Sequence, residues 1–520
     1  MSTRVSTGKA NTSAQARGPR AAERRGMRSP RAAERRGMRS SPRALFAAVL
    51  ALVLAGGPAA AQGTFDRTAI PPAGATPALR VPAWTRATLR NGAQLIVSER
   101  HNLPLVSFTI TWVGGADQYA PADRWGLANI VASMLSEGTT HRTGDQLSND
   151  LQQLGTAVNT QIGGESGSMG FVALKDKVEP TLTILQDMLV NPTFPADALE
   201  RLRARTLVEL QQARDRTSVI ARQVLPKVLY TEAHPYGRMR TETTIKAITG
   251  ADVVAFHKAY FTPAHAIITV VGDVNPAGVQ AMVERVLGPW LATGPAPSFA
   301  YPQLPAPTTT TIYLVDKPGA AQSSFAIGLP GPPRNTPDYF ALQVLNTILG
   351  DQFQSRLNAD IRERKGYSYG VGSIFSFGKG PGPFFAGGDI VTAKTDSALI
   401  EFMAQLRGIR GAIPIADDEL QTAQNLLVQG LPERFASVAS VNRSLTDIYL
   451  EGLSDDYYSR YAQQVRAVTK ADLQRVADRY LDVDHLAIVI VGDRKAIEQP
   501  LRATGVAPVV VLSVDGNPAS

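Results

Sequence analysis

The chain has 520 residues, contains no cysteine and carries a formal net charge of +8. The lack of cysteine excludes disulfides, cysteine-ligated zinc and a lipoprotein anchor. The first 61 residues contain 12 Lys and Arg and two Glu, and subtracting their +10 from +8 leaves −2 for residues 62–520. That balance gives no reason to expect binding to nucleic acid or to an anionic membrane.

Residues 1–61 are predicted to be a leader region that contains a secretory signal. The run ALFAAVLALVLA at 44–55 has no polar side chain, follows an arginine-rich stretch and precedes a small-residue cleavage site that ends at Ala61. The arginine-rich stretch contains PRAAERRGMRS twice in tandem, and we expect the true translation start at Met38. Neither this run nor any later stretch reaches the roughly 20 apolar residues of a transmembrane helix. The protein is therefore expected to be secreted or periplasmic.

Beyond the leader, two blocks of sequence occur twice. DVVAFHKAYFTPAHAIITVVGD (252–273) matches DLQRVADRYLDVDHLAIVIVGD (472–493) at an offset of 220 residues. LIVSERHNLPLVSFTITWVGG (95–115) matches IYLVDKPGAAQSSFAIGLPGP (312–332) at an offset of 217 residues. Two blocks in the same order with nearly equal offsets indicate an internal duplication.

The repeats and the segment between them set the predicted domain boundaries. We expect a first domain at 80–293, an uncharged Pro-rich linker at 294–308 and a second domain at 309–512. Each half begins with the alternation typical of strands, continues with helical spacing and ends with a strand. The clearest helical segments are 179–189, 198–216 and 418–435. The predicted fold class is α+β, with two homologous domains, each a mostly antiparallel sheet covered by helices on one face.

The stretch WGLANIVASMLSEGT at 125–139 has the apolar spacing of an amphipathic helix. The other face of this predicted helix carries Asn129, Ala132 and Ser133, which are small and have no ionisable group. The pattern fits a core helix as well as the scaffold of an active site, and this stretch alone does not distinguish the two.

This stretch belongs to a series of motifs that resembles a known family. The other motifs of the series are VNPTFPADALERLRARTLVEL, HPYGR, SRLNADIRERKGYSYGVGS and the doubled VGD strands. Together these motifs are similar to those of the pitrilysin/insulinase family of zinc peptidases and its processing-peptidase relatives. The likeness covers about residues 85–500. It implies two homologous α+β halves that enclose, within one chain or as paired subunits, a chamber for unfolded peptides.

The resemblance implies that the zinc motif has been lost. Active members have His, Glu and His at the positions of Asn129, Ala132 and Ser133, where two histidines one helical turn apart bind zinc and the Glu is the general base. The third family ligand is a Glu that matches Glu209, which we interpret as an exposed relic, because one carboxylate without two histidines is not a zinc site. The six histidines of the chain include no pair with metal-ligand spacing on one helix. We expect no cofactor in this chain.

The resemblance also implies a retained substrate-binding pair. The second domain of the family carries an Arg and a Tyr seven residues apart, which hold the substrate backbone and help to stabilise the oxyanion. In IRERKGYSYGV (361–371) these positions are Arg362 and Tyr369, and Arg364 is the alternative if the register slips.

Some members of the family work as heterodimers, and this sequence fits the subunit without zinc. The resemblance therefore implies a non-catalytic, substrate-binding subunit of an exported peptidase, inactive alone, whose catalytic partner of the same family holds zinc and whose substrate is an unfolded peptide. Two alternatives stay open. One is a peptide-binding or structural protein that uses the fold without proteolysis. The other is an active enzyme with an unusual metal site, against which the histidine positions argue.

Overall fold

Two six-stranded β-sheets carry the fold. The structure, a computed structural model, describes residues 79–291, 294, 298–306 and 308–519. The predicted leader, with the start at Met38 and the cleavage site at Ala61, lies outside the described residues. No helix in the described part of the chain is both long and apolar enough to cross a bilayer.

The first sheet is built from the first half of the chain. Its strands are β1 (Thr85–Thr88), β2 (Gln94–Glu99), β3 (Leu105–Val113), β4 (Asn159–Ile162), β5 (Ser166–Leu174) and β6 (Ala266–Gly272). In space they follow the order β1-β2-β6-β3-β5-β4. All neighbours are antiparallel except β2 and β6, which run parallel.

The second sheet repeats this arrangement. Its strands are β7 (Thr311–Asp316), β8 (Gln322–Pro330), β9 (Ser368–Phe375), β10 (Pro383–Val391), β11 (Ala487–Gly492) and β12 (Val509–Leu512), in the spatial order β12-β7-β11-β8-β10-β9. The doubled VGD segments form the equivalent strands β6 and β11. The outer strand differs, because β1 precedes its neighbour and is antiparallel to it, whereas β12 comes from the end of the chain and is parallel. The duplicated α+β fold class is confirmed.

Helices cover both sheets. Those of the first half are α1 (Ala116–Tyr119), α2 (Leu127–Met134), α3 (Gly144–Gln153), α4 (Val178–Val190), α5 (Ala196–Ala213), α6 (Thr217–Tyr230), α7 (Glu242–Lys246), α8 (Gly250–Tyr260) and α9 (Pro276–Val286). Those of the second half are α10 (Tyr339–Asn346), α11 (Thr395–Arg407), α12 (Asp417–Gly430), α13 (Val438–Leu450), α14 (Tyr457–Arg466), α15 (Lys470–Tyr480) and α16 (Arg494–Ala503). The three segments with clear helical spacing correspond to α4, α5 and α12.

Helix α13 of the second half packs on the first sheet, against β3 and β6. The Asn442 side-chain amide donates to the backbone carbonyl oxygens of Ser107, at 3.1 Å, and Thr269, at 2.8 Å. The Thr446 hydroxyl lies 2.9 Å from that of Thr269. Neighbouring side chains on a strand point to opposite faces, so α13 covers the face that the helices of the first half leave open.

Helix α6 of the first half makes the reciprocal crossing, onto β8 and β11 of the second sheet. Ser324 donates to the Thr217 hydroxyl at 2.8 Å, and Leu225 packs so closely over Gly328 that a Cβ there would lie 3.0 Å from the Leu225 Cδ2 atom. Each sheet is therefore covered on both faces, and the helix on the second face comes from the other half, which the sequence did not indicate.

The predicted linker is anchored by Tyr301. Its hydroxyl lies 2.9 Å from the Asp117 carboxylate and 3.0 Å from that of Glu165, in the turn between β4 and β5. Glu165 also accepts from the backbone N–H groups of Lys379, at 2.8 Å, and Gly380, at 3.3 Å, in the turn between β9 and β10. This cluster connects the linker to one end of each sheet.

Candidate functional site

Helix α2 carries the three positions where the resemblance places the zinc motif. It begins after Gly126, whose φ of +117° favours glycine and where a Cβ would lie 2.5 Å from the Ile245 side chain. The helix packs on α5, on α8 and against the edge strand β4. Asn129 is exposed, Ala132 is buried and Ser133 is half-buried.

The donor set on this helix does not fit zinc. Asn129 offers an amide, Ser133 a neutral hydroxyl and Ala132 no donor atom, whereas protein zinc sites use imidazole, thiolate and carboxylate ligands. Glu209 is exposed on α5, and its carboxylate lies 3.4 Å from the Arg205 guanidinium. Among the residues that the structure describes, no three His, Asp or Glu side chains are grouped to hold a metal ion.

A cavity of about 1050 Å³ lies beside the edge strand of the second sheet, and Arg362 and Tyr369 both line it. Its floor is formed by β9 and β10, and one wall is the crossing helix α6, which contributes Arg222, Leu225 and Pro226. The remaining wall comes from two π-helical segments, Thr347–Asp351 and Asn358–Arg364, and the turn between them. Residues of both halves of one chain therefore build the cavity.

Arg362 presents an unsatisfied guanidinium to this cavity. Its Cζ atom lies 4.0 Å from the centroid of the Phe353 ring, a cation–π contact that holds the group without neutralising its charge. Its Nη1 atom is buried and has no hydrogen-bond partner among the described residues. An unmade hydrogen bond of a buried charged donor costs on the order of 1–3 kcal/mol or more. A peptide oxygen brought within hydrogen-bond distance of this atom would recover part of that free energy.

Tyr369 lies on β9, with 92 % of its surface exposed. Its phenol has no hydrogen-bond partner in the described part of the chain, so the O–H group is available to an acceptor that enters the cavity. Arg364, the alternative to Arg362, does not line the cavity and forms an ion pair with Asp360 at 2.7 Å. The geometry favours Arg362.

Two buried asparagines close the outer edge of β9. Asn358 Oδ1 accepts from the Val371 backbone N–H at 3.1 Å, and Asn346 Nδ2 donates to the Ser373 backbone oxygen at 3.1 Å. Strand β10 pairs with the other edge of β9. The Val371 N–H and the Ser373 carbonyl oxygen are therefore the backbone groups with which an added strand would have to form hydrogen bonds. A peptide at this site therefore lies in the cavity instead of extending the sheet at Val371–Ser373.

The structure brings Arg362 and Tyr369 together and leaves Asn129, Ala132, Ser133 and Glu209 elsewhere. The cavity receives no residue from α2 or α5. Sequence reasoning missed Arg222, Asn346 and Asn358. Asn346 carries a weak signal, because it is a polar residue in the apolar run YFALQVLNTILG, whereas Asn358 stands among polar and charged residues in SRLNADIRER.

Comparison with protein-family models gives two matches. Residues 96–242 match the model described as insulinase (peptidase family M16), and residues 247–427 match the model described as peptidase M16 inactive domain.

Individual relatives have low sequence identity to this chain but match more than half of its length. The uncharacterized zinc protease YmxG of Bacillus subtilis is 24% identical over 56% of this chain and 70% of its own. The non-peptidase homolog YmxG of Helicobacter pylori is 22% identical over 77% of this chain and 92% of its own. The crystal structure of a peptidase M16 inactive domain from Pseudomonas fluorescens is 26% identical, with a TM-score of 0.72, and the match covers 79% of this chain and 98% of that chain.

Proposed function

Because the chain belongs to the insulinase family of peptidases, family M16, we propose that it is the non-catalytic, substrate-binding subunit of a heterodimeric zinc peptidase. The partner in this proposal is a subunit of the same family that retains the zinc motif and supplies the metal. The complex degrades or processes unfolded peptides, and this chain alone is inactive.

Helix α2 supports the assignment of a non-catalytic role. The names of the relatives are divided between zinc protease and non-peptidase homolog. The residues of this chain favour the second description, because Ala132 has no group that could take a proton and neither Asn129 nor Ser133 is a strong zinc ligand.

The observation that carries the proposal is the unsatisfied Arg362 Nη1 atom in a cavity that Tyr369 also lines. A guanidinium and a phenol together suit the carbonyl oxygen of a peptide, on which negative charge grows during hydrolysis. Donors that are already in place before the substrate arrives stabilise that charge without reorganisation. In the proposed complex these two side chains hold the peptide while the partner performs the chemistry.

We further propose that the protein works outside the cytoplasm, in the periplasm or as a secreted protein. The support is the apolar run 44–55 with its small-residue cleavage site after an arginine-rich stretch. The partner must then reach the same compartment.

A second candidate is a peptide-binding or structural protein that needs no catalytic partner. It is favoured by one observation: helix α6, strands β9 and β10 and the two π-helical segments, all of this one chain, line the cavity around Arg362 and Tyr369. The two candidates share the peptide site and differ in whether a zinc-bearing subunit associates with it.

Reconstitution separates them. The chain beginning at Gln62 is purified alone and mixed with a zinc-bearing family subunit that co-purifies from the same compartment. We expect no stoichiometric zinc and no peptide cleavage for the chain alone, and turnover in the mixture that stops when the partner's catalytic Glu is replaced by Gln. Chelator-sensitive cleavage by the isolated chain with one bound zinc would exclude both candidates.

A further inference from the structure

The cavity contains a second guanidinium that the proposed function does not use. Arg222, on the crossing helix α6, lines the cavity with its Cζ atom 5.5 Å from the centroid of the Phe385 ring. Among the described residues it has neither a hydrogen bond nor an ion pair. Like Arg362 over Phe353, it is oriented by an aromatic face and keeps its full hydrogen-bonding capacity.

The carboxylates of the cavity do not neutralise it. Asp389 accepts a hydrogen bond from the Ser324 hydroxyl, and Asp351 is exposed and accepts from the Gln352 amide at 3.1 Å. Neither forms an ion pair with Arg222. The guanidinium of Arg222 offers a planar pair of N–H donors that is suited to the two oxygens of a carboxylate on a bound peptide.

The β-ladder fixes where Arg222 lies relative to the Arg362 and Tyr369 pair. Phe385, under Arg222, pairs with Ile374 of β9, and the register between β9 and β10 shifts by one residue between Val371 and Ser368, beside Tyr369. The two positions are therefore about four ladder steps apart, which is about 13 Å at about 3.3 Å per residue. An extended peptide that places a carbonyl at Tyr369 has its residue about four positions away beside Arg222.

We propose that Arg222 is a specificity residue that binds a carboxylate of the peptide, about four residues from the carbonyl held by Arg362 and Tyr369. This inference rests on the proposed function and adds the substrate class, which is peptides with a carboxylate at this spacing. The carboxylate belongs either to an acidic side chain or to the peptide C-terminus, and both present the same two oxygens.

Calorimetric titration of the purified chain with unlabelled peptides of one length tests the proposal. A single Glu is moved along an otherwise neutral sequence, with Gln at the same position as the control, and each peptide is made with a free and an amidated C-terminus. We expect one or two Glu positions, or the free C-terminus, to tighten binding roughly three- to tenfold, which is modest because Arg222 is exposed.

Variants of Arg222 identify the residue responsible. Arg222→Gln should bring the ratio of the affinities for the Glu and the Gln peptide to about one, and Arg222→Glu should transfer the preference to peptides with Lys at the same position. Arg460→Gln, which removes an exposed positive charge on α14 outside the cavity, is the matched control and should retain the preference.

The outcomes separate this proposal from the proposed function. Equal affinity of wild type both for Glu and Gln peptides and for free and amidated C-termini, or a preference that persists in Arg222→Gln, overturns the carboxylate site and leaves the peptide-binding role intact. Failure of every peptide to bind overturns both.

Discussion

Asp117 is a carboxyl group whose surroundings disfavour its charge. Burial, and then the nearby Glu165 carboxylate, raise its pKa to about 6, although the hydrogen bond from Tyr301 acts in the opposite direction, as does the Arg238 charge. The native protein therefore binds this proton more strongly than the unfolded chain does. The stability that this proton contributes is complete below the ordinary pKa of 3.8 and is lost as the pH rises through about 6.

The raised pKa of Asp117 gives a prediction for the pH dependence of stability in Asp117→Asn. Between pH 4.5 and 7.5, wild type should lose about 2 kcal/mol of unfolding free energy relative to the variant, since one pKa unit corresponds to about 1.4 kcal/mol and part of the shift lies below pH 4.5. Urea denaturation at several pH values measures the difference. Comparison with the variant is essential because burial lowers the pKa of His234 and His257, whose contributions to stability rise with pH in the same range. A difference that is constant with pH would contradict the account.

At the residue scale, the sequence could predict only part of the candidate site. Arg362 and Tyr369 could be predicted because they stand in a motif with fixed spacing, and their role stays a prediction. Arg222 could not, because its role depends on α6 crossing to the other half, and an Arg in an apolar helical run is more often a solvated side chain.

At the scale of elements, the crossing helices explain what the sequence pattern could and could not predict. Alternation and helical spacing indicated strands such as β3 and β8 and helices such as α4 and α5. Spacing shows that a helix buries one face, but it does not show which sheet receives that face. The buried Thr269 on β6 and Ser324 on β8 are the traces of the crossings, because polar residues on central strands need partners from another element.

Asn442 tests the importance of one crossing. Asn442→Ala removes the amide that serves the carbonyl oxygens of Ser107 and Thr269 and leaves them buried without it. We expect a loss of roughly 1–3 kcal/mol in unfolding free energy, measured by chemical denaturation. Arg443→Ala, at an exposed position of the same helix, is the control and should stay within about 0.5 kcal/mol of wild type. Equal effects of the two substitutions would mean that α13 is not held by these hydrogen bonds.

At the scale of the whole molecule, the two halves have diverged in what they retain. The first half has helix α2, on which Asn129, Ala132 and Ser133 offer neither a strong zinc ligand nor a general base. The second half keeps Arg362 and Tyr369 in a cavity that it shares with α6. A chain with this division of residues is suited to bind a peptide for a partner, and this is the central claim.

The most direct measurement of that claim is peptide turnover by the reconstituted complex with substitutions in this chain alone. Arg362→Ala and Tyr369→Phe should each lower turnover by about 10²–10³-fold, the usual loss for a donor to a developing oxyanion. Arg362→Lys should restore it only in part, because an ammonium lacks the planar fork. Gel filtration should show that assembly is unchanged.

Two controls make the result specific. Arg364→Ala removes a neighbouring guanidinium that is paired with Asp360 outside the cavity, and Glu209→Gln removes the exposed carboxylate on α5. Both should leave turnover within a few-fold of wild type. We expect a large loss of turnover in Arg362→Ala and Tyr369→Phe and none in the controls. Wild-type turnover in both of the former, with assembly intact, would contradict it and favour the peptide-binding or structural role.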